Sequence, residues 1–357
     1  MDLKEIFKIM VEKNASDAFI KGNDHVRIRT YTEVSLPIGR GYNNEEMSEL
    51  IAGITSDREK EELRTKKSCE LAIYYEDRWR FRVAIFYEKN NLVIILRKID
   101  LKSISFNELN LPSKLLEQLC VERRGLVLIT GMAGSGKSTT IAAMLEFINA
   151  NFGKHILTIE EPIEFTFEEK KSIINQRDLG KDVFTYNDAL RQSVIHSPDV
   201  IYISNIRDRD TCYAALSAAE TGILVVSTVH SFNAVSTVER IVNFFPADER
   251  QFILTQLSLL LKGTFSLRLL PRIDAAGLIP AYEAMTLSPT ISALIRENDL
   301  DKLPKCISES DIFYMKSFNQ CLWELVQAKK ISTQTALTYS DEKKELLLLM
   351  DRIKYIN

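Results

Sequence analysis

One octapeptide constrains this chain more than any other feature: Gly131-Met132-Ala133-Gly134-Ser135-Gly136-Lys137-Ser138. It fits GxxxxGK[ST] and follows an apolar run, Leu126-Val127-Leu128-Ile129. After it, Ile141, Met144, Leu145 and Ile148 recur at helical spacing. A strand, a glycine-rich turn and a helix in that order wrap backbone amides and a helix N-terminus around a phosphate. The small residues let the backbone approach, and Lys137 reaches the β and γ oxygens as a point charge. Ser138 is placed to ligate Mg2+. The expected nucleotide-binding residues are therefore Ala133, Gly134, Ser135, Gly136, Lys137, Ser138 and Thr139, with ATP and Mg2+ as ligands.

The surrounding pattern says what holds this turn. Strand-like apolar runs at 125–130, 155–159, 173–175, 199–204 and 223–229 alternate for the most part with helical stretches. Such alternation points to a largely parallel sheet covered by helices. Upstream, Leu3, Ile6, Phe7, Met10 and Val11 predict an opening helix that stops near Asn14. Residues 18–100 change to short alternating runs and read as a small α/β domain. In it Arg80-Phe81-Arg82-Val83-Ala84-Ile85 puts both arginines on one face of a strand, and 92–99 is the next strand. Ser103, Ser105, Asn107, Asn110 and Pro112 mark 101–116 as a linker. Beyond about 248 the pattern turns helical, through Phe252, Thr255, Leu259, Ala293 and Arg296 to a last charged helix from about 341.

Composition removes several alternatives. A chain of 357 residues is too long for one small core, so two domains are expected. The net charge of −3 advertises no basic field, and no nucleic-acid partner is expected. The five cysteines are scattered without a CxxC pair, which argues against a zinc element or disulfide framework and fits a reducing compartment. The N-terminus mixes charges at once, and apolar runs such as 346–350 fall far short of a membrane span. A cytoplasmic protein that reaches a membrane only through a partner is expected.

Three further features bear on chemistry. Thr158-Ile159-Glu160-Glu161-Pro162-Ile163-Glu164 puts carboxylates at the end of the second core strand, where a water-activating base or a solvated acidic turn would sit. The strand at 199–204 resembles a Walker B strand, but Asn205 stands where a carboxylate belongs. A carboxamide adds no charge to a hard cation and serves at most as an outer-shell contact. His230 closes the run at 223–229, either as a sensor of the γ-phosphate or as a hydrogen-bonded loop histidine.

Taken together, GSGKSTT at 134–140, HILTIEEPIEF at 155–165, NQRD at 175–178, IRDRDT at 206–211, AAETG at 218–222, STVHSFNA at 227–234 and ERIVNFFP at 239–246 resemble one family. It is the PilT and PilU family of type IV pilus retraction ATPases, within the secretion-ATPase superfamily. The resemblance runs from Ala15 to the last helix. It implies a PAS-like N-terminal domain (1–100), the linker (101–116), a RecA-like P-loop core (117–288) and a helical C-terminal segment (289–357). It also implies a homo-hexamer that powers pilus retraction and twitching motility by Mg-ATP hydrolysis coupled to inter-domain rotation. Partners would be an inner-membrane platform protein and a paralogous retraction ATPase. By the same resemblance Glu164 activates the attacking water, His230 belongs to a His box, and Arg82 and Arg97 reach nucleotide across a subunit boundary. Lys137, Glu164, His230, Arg82 and Arg97 are the expected catalytic set.

The chain departs from the family where Ser204-Asn205 replaces Gly-Glu, where Ile195-His196 replaces an arginine, and where Ser292 replaces another in the C-terminal signature. Asn205 motivates an alternative, an ATP-binding, hydrolysis-poor regulatory or structural paralogue.

Overall fold

A computed structural model describes residues 2–30, 33–34, 37–39, 41–76, 79–100, 105–310 and 314–354. The chain divides into two compact units, Met1–Lys102 and Ser103–Asn357.

The first unit opens with α1 (Leu3–Glu12), then β1 (Asp17–Lys21), β2 (Arg27–Thr30) and β3 (Glu33–Val34). The helices α2 (Asn44–Ile54) and α3 (Asp57–Lys66) follow, then β4 (Ser68–Tyr75), β5 (Trp79–Glu88) and β6 (Asn91–Asp100). The six strands pair antiparallel in the order β3-β2-β1-β6-β5-β4. The expected α1 forms because Asp2 and Glu5 make a capping box and Leu3, Ile6, Phe7 and Met10 fall on one buried face. Phe7 stacks on Phe81 of β5 with centroids 4.0 Å apart, which seats the helix on the sheet. β5 and β6 turn through Lys89 and Asn90, both at positive φ, as a two-residue hairpin requires. The run read only as alternating segments also holds α2 and α3. Their capping boxes, Asn43 with Glu46 and Ser56 with Glu59, were the local signal for them.

The second unit begins with α4 (Ser113–Cys120) and β7 (Gly125–Gly131), then α5 (Lys137–Asn151), β8 (His155–Glu160) and β9 (Ile173–Asp178). Next come α6 (Tyr186–His196), β10 (Val200–Ile203), α7 (Arg209–Glu220), β11 (Leu224–Val229), α8 (Ala234–Asn243) and α9 (Arg250–Leu260). A hairpin of β12 (Leu261–Pro271) and β13 (Leu278–Thr286) precedes α10 (Pro289–Arg296), α11 (Leu303–Ser308), α12 (Phe318–Gln327), α13 (Thr333–Tyr339) and α14 (Lys343–Lys354). The sheet order is β13-β12-β7-β11-β10-β8-β9, with every neighbouring pair parallel except β12 and β13. Side chains of β7 alternate between two cores: Leu126 and Leu128 face α6–α9, while Val127 and Ile129 pack with α4 and α5. That double burial explains why the parallel strands read as continuous apolar runs.

Two expectations need correction. Ser105–Pro112 is not a free linker, because Phe106 and Leu111 are buried with Leu115 and Leu116 of α4 in the core beneath β7. Ser103 and the rest of 101–104 lie outside the described residues, as do 355–357 at the end of the expected C-terminal segment. The region beyond 248 is not uniformly helical either. Phe265 and Leu267 of β12 are buried beside β7 in the same sheet.

Candidate functional site

The expected phosphate turn lies where β7 stops and α5 starts. β7 is buried along its whole length, so its end is fixed. Gly131 has φ 142°, and a Cβ there would meet Ser135 Oγ at 2.4 Å and the Leu267 carbonyl at 2.6 Å. Only glycine fits at that point. Gly136, at φ 95°, caps α5 in the left-handed region and exposes the first helical amides. Ala133 and Gly134 are exposed, Ser138 and Thr139 are half-buried on the first turn, and Ser135 Oγ is buried with no hydrogen-bond partner.

Lys137 is only 8% exposed, and its ammonium donates to the carbonyls of Gly131 at 2.9 Å and Met132 at 2.8 Å. Burial holds its pKa below the usual lysine value, and the charge of Glu164 works against that shift. Neutral carbonyls are weaker partners than anionic phosphate oxygens, so the lysine has more to gain from a phosphate than it loses by leaving them.

The strands beside β7 deliver the rest. β11 is its neighbour and ends at Val229, so His230 emerges next to the turn. Partial burial lowers the His230 pKa, and the cations Lys137 and Arg240 lower it further, against a hydrogen bond to the Gly131 backbone. The ring is therefore neutral at neutral pH and faces the phosphate cradle.

β10 follows, and just past it the Ser204 hydroxyl shares a hydrogen bond of 2.7 Å with Tyr186. Asn205 Oδ1 is buried and has no hydrogen-bond partner. An acceptor desolvated without a partner costs free energy, unless something donates to it in the working state.

β8 lies beyond β10 and ends in Glu160, which is 4% exposed. It accepts hydrogen bonds from Thr158 Oγ1 at 2.7 Å and Gln176 Nε2 at 3.1 Å. Burial pushes its carboxyl up to about 7 despite these bonds, and the negative charge of Glu164 raises it further. Glu164 is half-buried and acts on Lys137, Glu160 and Tyr202 alike, which puts it among them.

Lys137, Glu164 and His230 thus converge at one end of the sheet. Glu160 joins them as a buried carboxyl that was read only as part of the acidic run. Thr158 and Glu160, two apart on one strand, lie on the same face, and that was its signal in the chain.

Arg82 and Arg97 lie in the first unit and face each other across β5 and β6. Arg82 makes a two-pronged contact with Glu70, at 3.1 and 2.6 Å. Arg97 donates to Asp17 at 2.9 Å, and Arg29 flanks the same carboxylate at 3.6 Å.

As for Mg2+, the residues fit a lightly held ion. The half-buried Ser138 hydroxyl at the helix start would be the protein's ligand, with phosphate and water supplying the others, and the orphaned acceptor of Asn205 would serve at most as an outer-shell contact. Among the described residues no three His, Cys, Asp or Glu side chains gather as metal ligands. Also among the described residues, no helix is long and apolar enough to cross a membrane.

Comparison with known proteins bears on the family and the fold. The chain is 33% identical over 98% of its length to the type IV pilus ATPase PilU of Pseudomonas aeruginosa, covering 91% of that protein. It is also 33% identical over 94% of its length to the PilT retraction ATPase of the same organism, covering 97% of it. Among solved structures it is similar to the pilus retraction motor PilT with bound ADP, at a TM-score of 0.87 and 35% identity, covering 97% of this chain and 98% of that one. The expected fold is the one found: an α/β N-terminal domain of PAS-like kind, a RecA-like P-loop core and a helical C-terminal appendage. Residues 2–293 match the family of type II/IV secretion system proteins, and the chain belongs to that family.

Proposed function

We propose that this chain is a Mg-ATP-dependent motor that assembles as a homo-hexamer and powers type IV pilus retraction, and with it twitching motility. The observation that carries this reading is the convergence of Glu164 and His230 on the buried Lys137 at the glycine turn. Lys137 and the first amides of α5 hold the phosphates, and Ser138 sits where Mg2+ would be held. The ion would supply positive charge opposite the phosphate oxygens. Glu164 orients the attacking water, and neutral His230 senses the γ-phosphate. Arg82 and Arg97 reach a nucleotide on the neighbouring subunit, where a guanidinium stabilises charge developing on the transferred group. Each cycle would turn an N-terminal domain against the next core, at the cytoplasmic face of the inner membrane and against a platform protein. Relatives named for pilus retraction support this assignment.

Steady-state phosphate release in Mg-ATP tests it, with Lys137→Ala as the blank. Turnover clearly above the blank is expected. Turnover at the blank level, with ATP binding intact, overturns the motor.

One observation favours a second reading. Asn205 leaves its buried Oδ1 unpartnered where a carboxylate would serve. A ring partner that binds ATP and scarcely hydrolyses it, working beside a paralogous ATPase, would follow. Asn205→Glu should then raise turnover sharply, and an unchanged rate would discard this explanation.

A further inference from the structure

His230 belongs to a short loop that is closed onto the first turn of α8. The Phe232 and Asn233 amides donate to Ser236 Oγ at 3.1 and 3.0 Å, and Asn233 caps the helix. Ser231 and Thr237 share a hydroxyl hydrogen bond of 2.7 Å, buried from water. The loop therefore moves only if the start of α8 moves.

That start is held from outside. Glu283, on β13, accepts the Ala234 amide at 2.8 Å. Ala234 is the first residue of α8, whose amide has no acceptor within its own helix. The amide of Phe318, the first residue of α12, also favours this carboxylate's charge, and Ala284 beside it pairs with Lys316 just ahead of that helix. One side chain thus holds the start of α8 and lies near the start of α12, 84 residues further on, and both N-termini favour its negative charge.

Arg268, on the neighbouring strand β12, puts its positive charge near this carboxylate. Arg268 lies 4.0 Å over the Phe318 ring and donates to the Tyr339 carbonyl and to Asp341, which lead from α13 into α14. The backbones of Ala284 and Lys316 close the connection with a pair of hydrogen bonds at 2.8 and 3.0 Å.

We propose that Glu283 is a positioning residue that ties the His230 loop to helices α12–α14, so that the phosphate-facing histidine and the C-terminal helices shift together. The proposal rests on the reading of His230 as the residue facing nucleotide. It gives the C-terminal helices a mechanical route to the site that needs no contact with the ligand.

Backbone hydrogen exchange of wild type, Glu283→Ala and Glu283→Gln tests it, alongside phosphate release. In Glu283→Ala, exchange should rise about tenfold in both 231–238 and 316–322, while 126–131 and 137–150 keep their protection. Glu283→Gln retains an acceptor and should restore most of the protection in 231–238. On the kinetic side, kcat should fall about fivefold with KM within about twofold, because positioning is lost while the phosphate cradle is intact. Loosening of only one of the two segments, or equal loosening of 137–150, overturns the proposal. So does a rise in KM at constant kcat. Should Glu283→Ala fail to fold, Glu283→Met, which keeps the volume and lacks the acceptor, must loosen both segments relative to wild type, and if neither changes the tether is refuted. Wild-type turnover no faster than Lys137→Ala would sink the motor reading alone, since exchange still decides the tether.

Discussion

At the seven-stranded sheet the charged groups of the candidate site include two that lie out of water: Lys137, first residue of α5, is 8% exposed and Glu160, last of β8, 4%. In the six-stranded sheet they stand mid-strand and wet. The Arg97 side chain is 59% exposed and that of Arg82 30%, each on a carboxylate of its own sheet. Burial changes the chemistry of the first pair, pulling a lysine and a carboxyl toward neutrality. The second pair keeps water against its guanidinium groups, and the Arg82–Glu70 bridge, open to solvent on both sides, is worth little. The P-loop unit thus holds its charges in fixed, buried positions, while the N-terminal unit carries guanidinium groups paired to carboxylates of their own sheet.

The contrast can be broken most severely at Lys137. Lys137→Ala should reduce phosphate release by about 100-fold or more, as removal of a fixed donor to developing charge does. A loss below about tenfold would mean that the buried end is not where the chemistry is done.

Glu160 offers the next largest effect and a test of burial itself. Its folded pKa of about 7 lies above the ordinary carboxyl value of 4.5, so between those pH values the native state holds a proton that the unfolded chain has lost. Stability from this group is therefore full below pH 4.5 and is lost as pH rises to about 7. Glu160→Gln keeps an acceptor and removes the titration. From pH 4.5 to 7.5 the variant should gain on wild type by on the order of 3 kcal/mol in denaturant unfolding. Parallel stability curves would show that Glu160 is solvated after all.

The exposed pair should behave oppositely. Arg97→Ala and Arg82→Ala should each cost about tenfold in turnover, yet Arg82→Ala should change unfolding free energy by less than about 1 kcal/mol, and Arg97→Ala by more, since it leaves the buried Asp17 carboxylate to Arg29. A loss of stability without a loss of turnover would assign both arginines to the sheet alone.

The smallest effect sharpens the point. Glu70→Ala frees Arg82 from its internal partner, should destabilise by only a few tenths of a kcal/mol, and should lower rather than raise the KM for ATP. An increased KM would mean that Glu70 aims the guanidinium instead of competing for it.

How much of this was legible in the chain follows from the distance over which each feature is decided. The glycine turn and its flanking strand and helix are settled within about 25 residues, so the pattern showed them. Helix α3 was hidden because Leu63 is the only buried residue among its ten, leaving little periodicity to read. β12 reaches the sheet by pairing with β7, more than 130 residues earlier, and no local pattern announces such a neighbour. Glu160 stood in plain view among three acidic residues. Its spacing from Thr158 hints at a shared face, but its burial depends on β9 bringing Gln176 alongside, which no local pattern announces.

The β12–β13 hairpin has a consequence for how the chain can be divided. With it in place, β7 has a hydrogen-bonded neighbour on each side. A chain cut after α9 would keep the whole GxxxxGK[ST] segment and still leave β7 as an outer strand, seven apolar or small residues long with one side of its backbone unmet. Such a rim recruits other chains. Shortened versions ending before Thr286 should therefore yield sticky, insoluble material however intact their signature motif, and the smallest well-behaved nucleotide-binding piece must carry the hairpin with it.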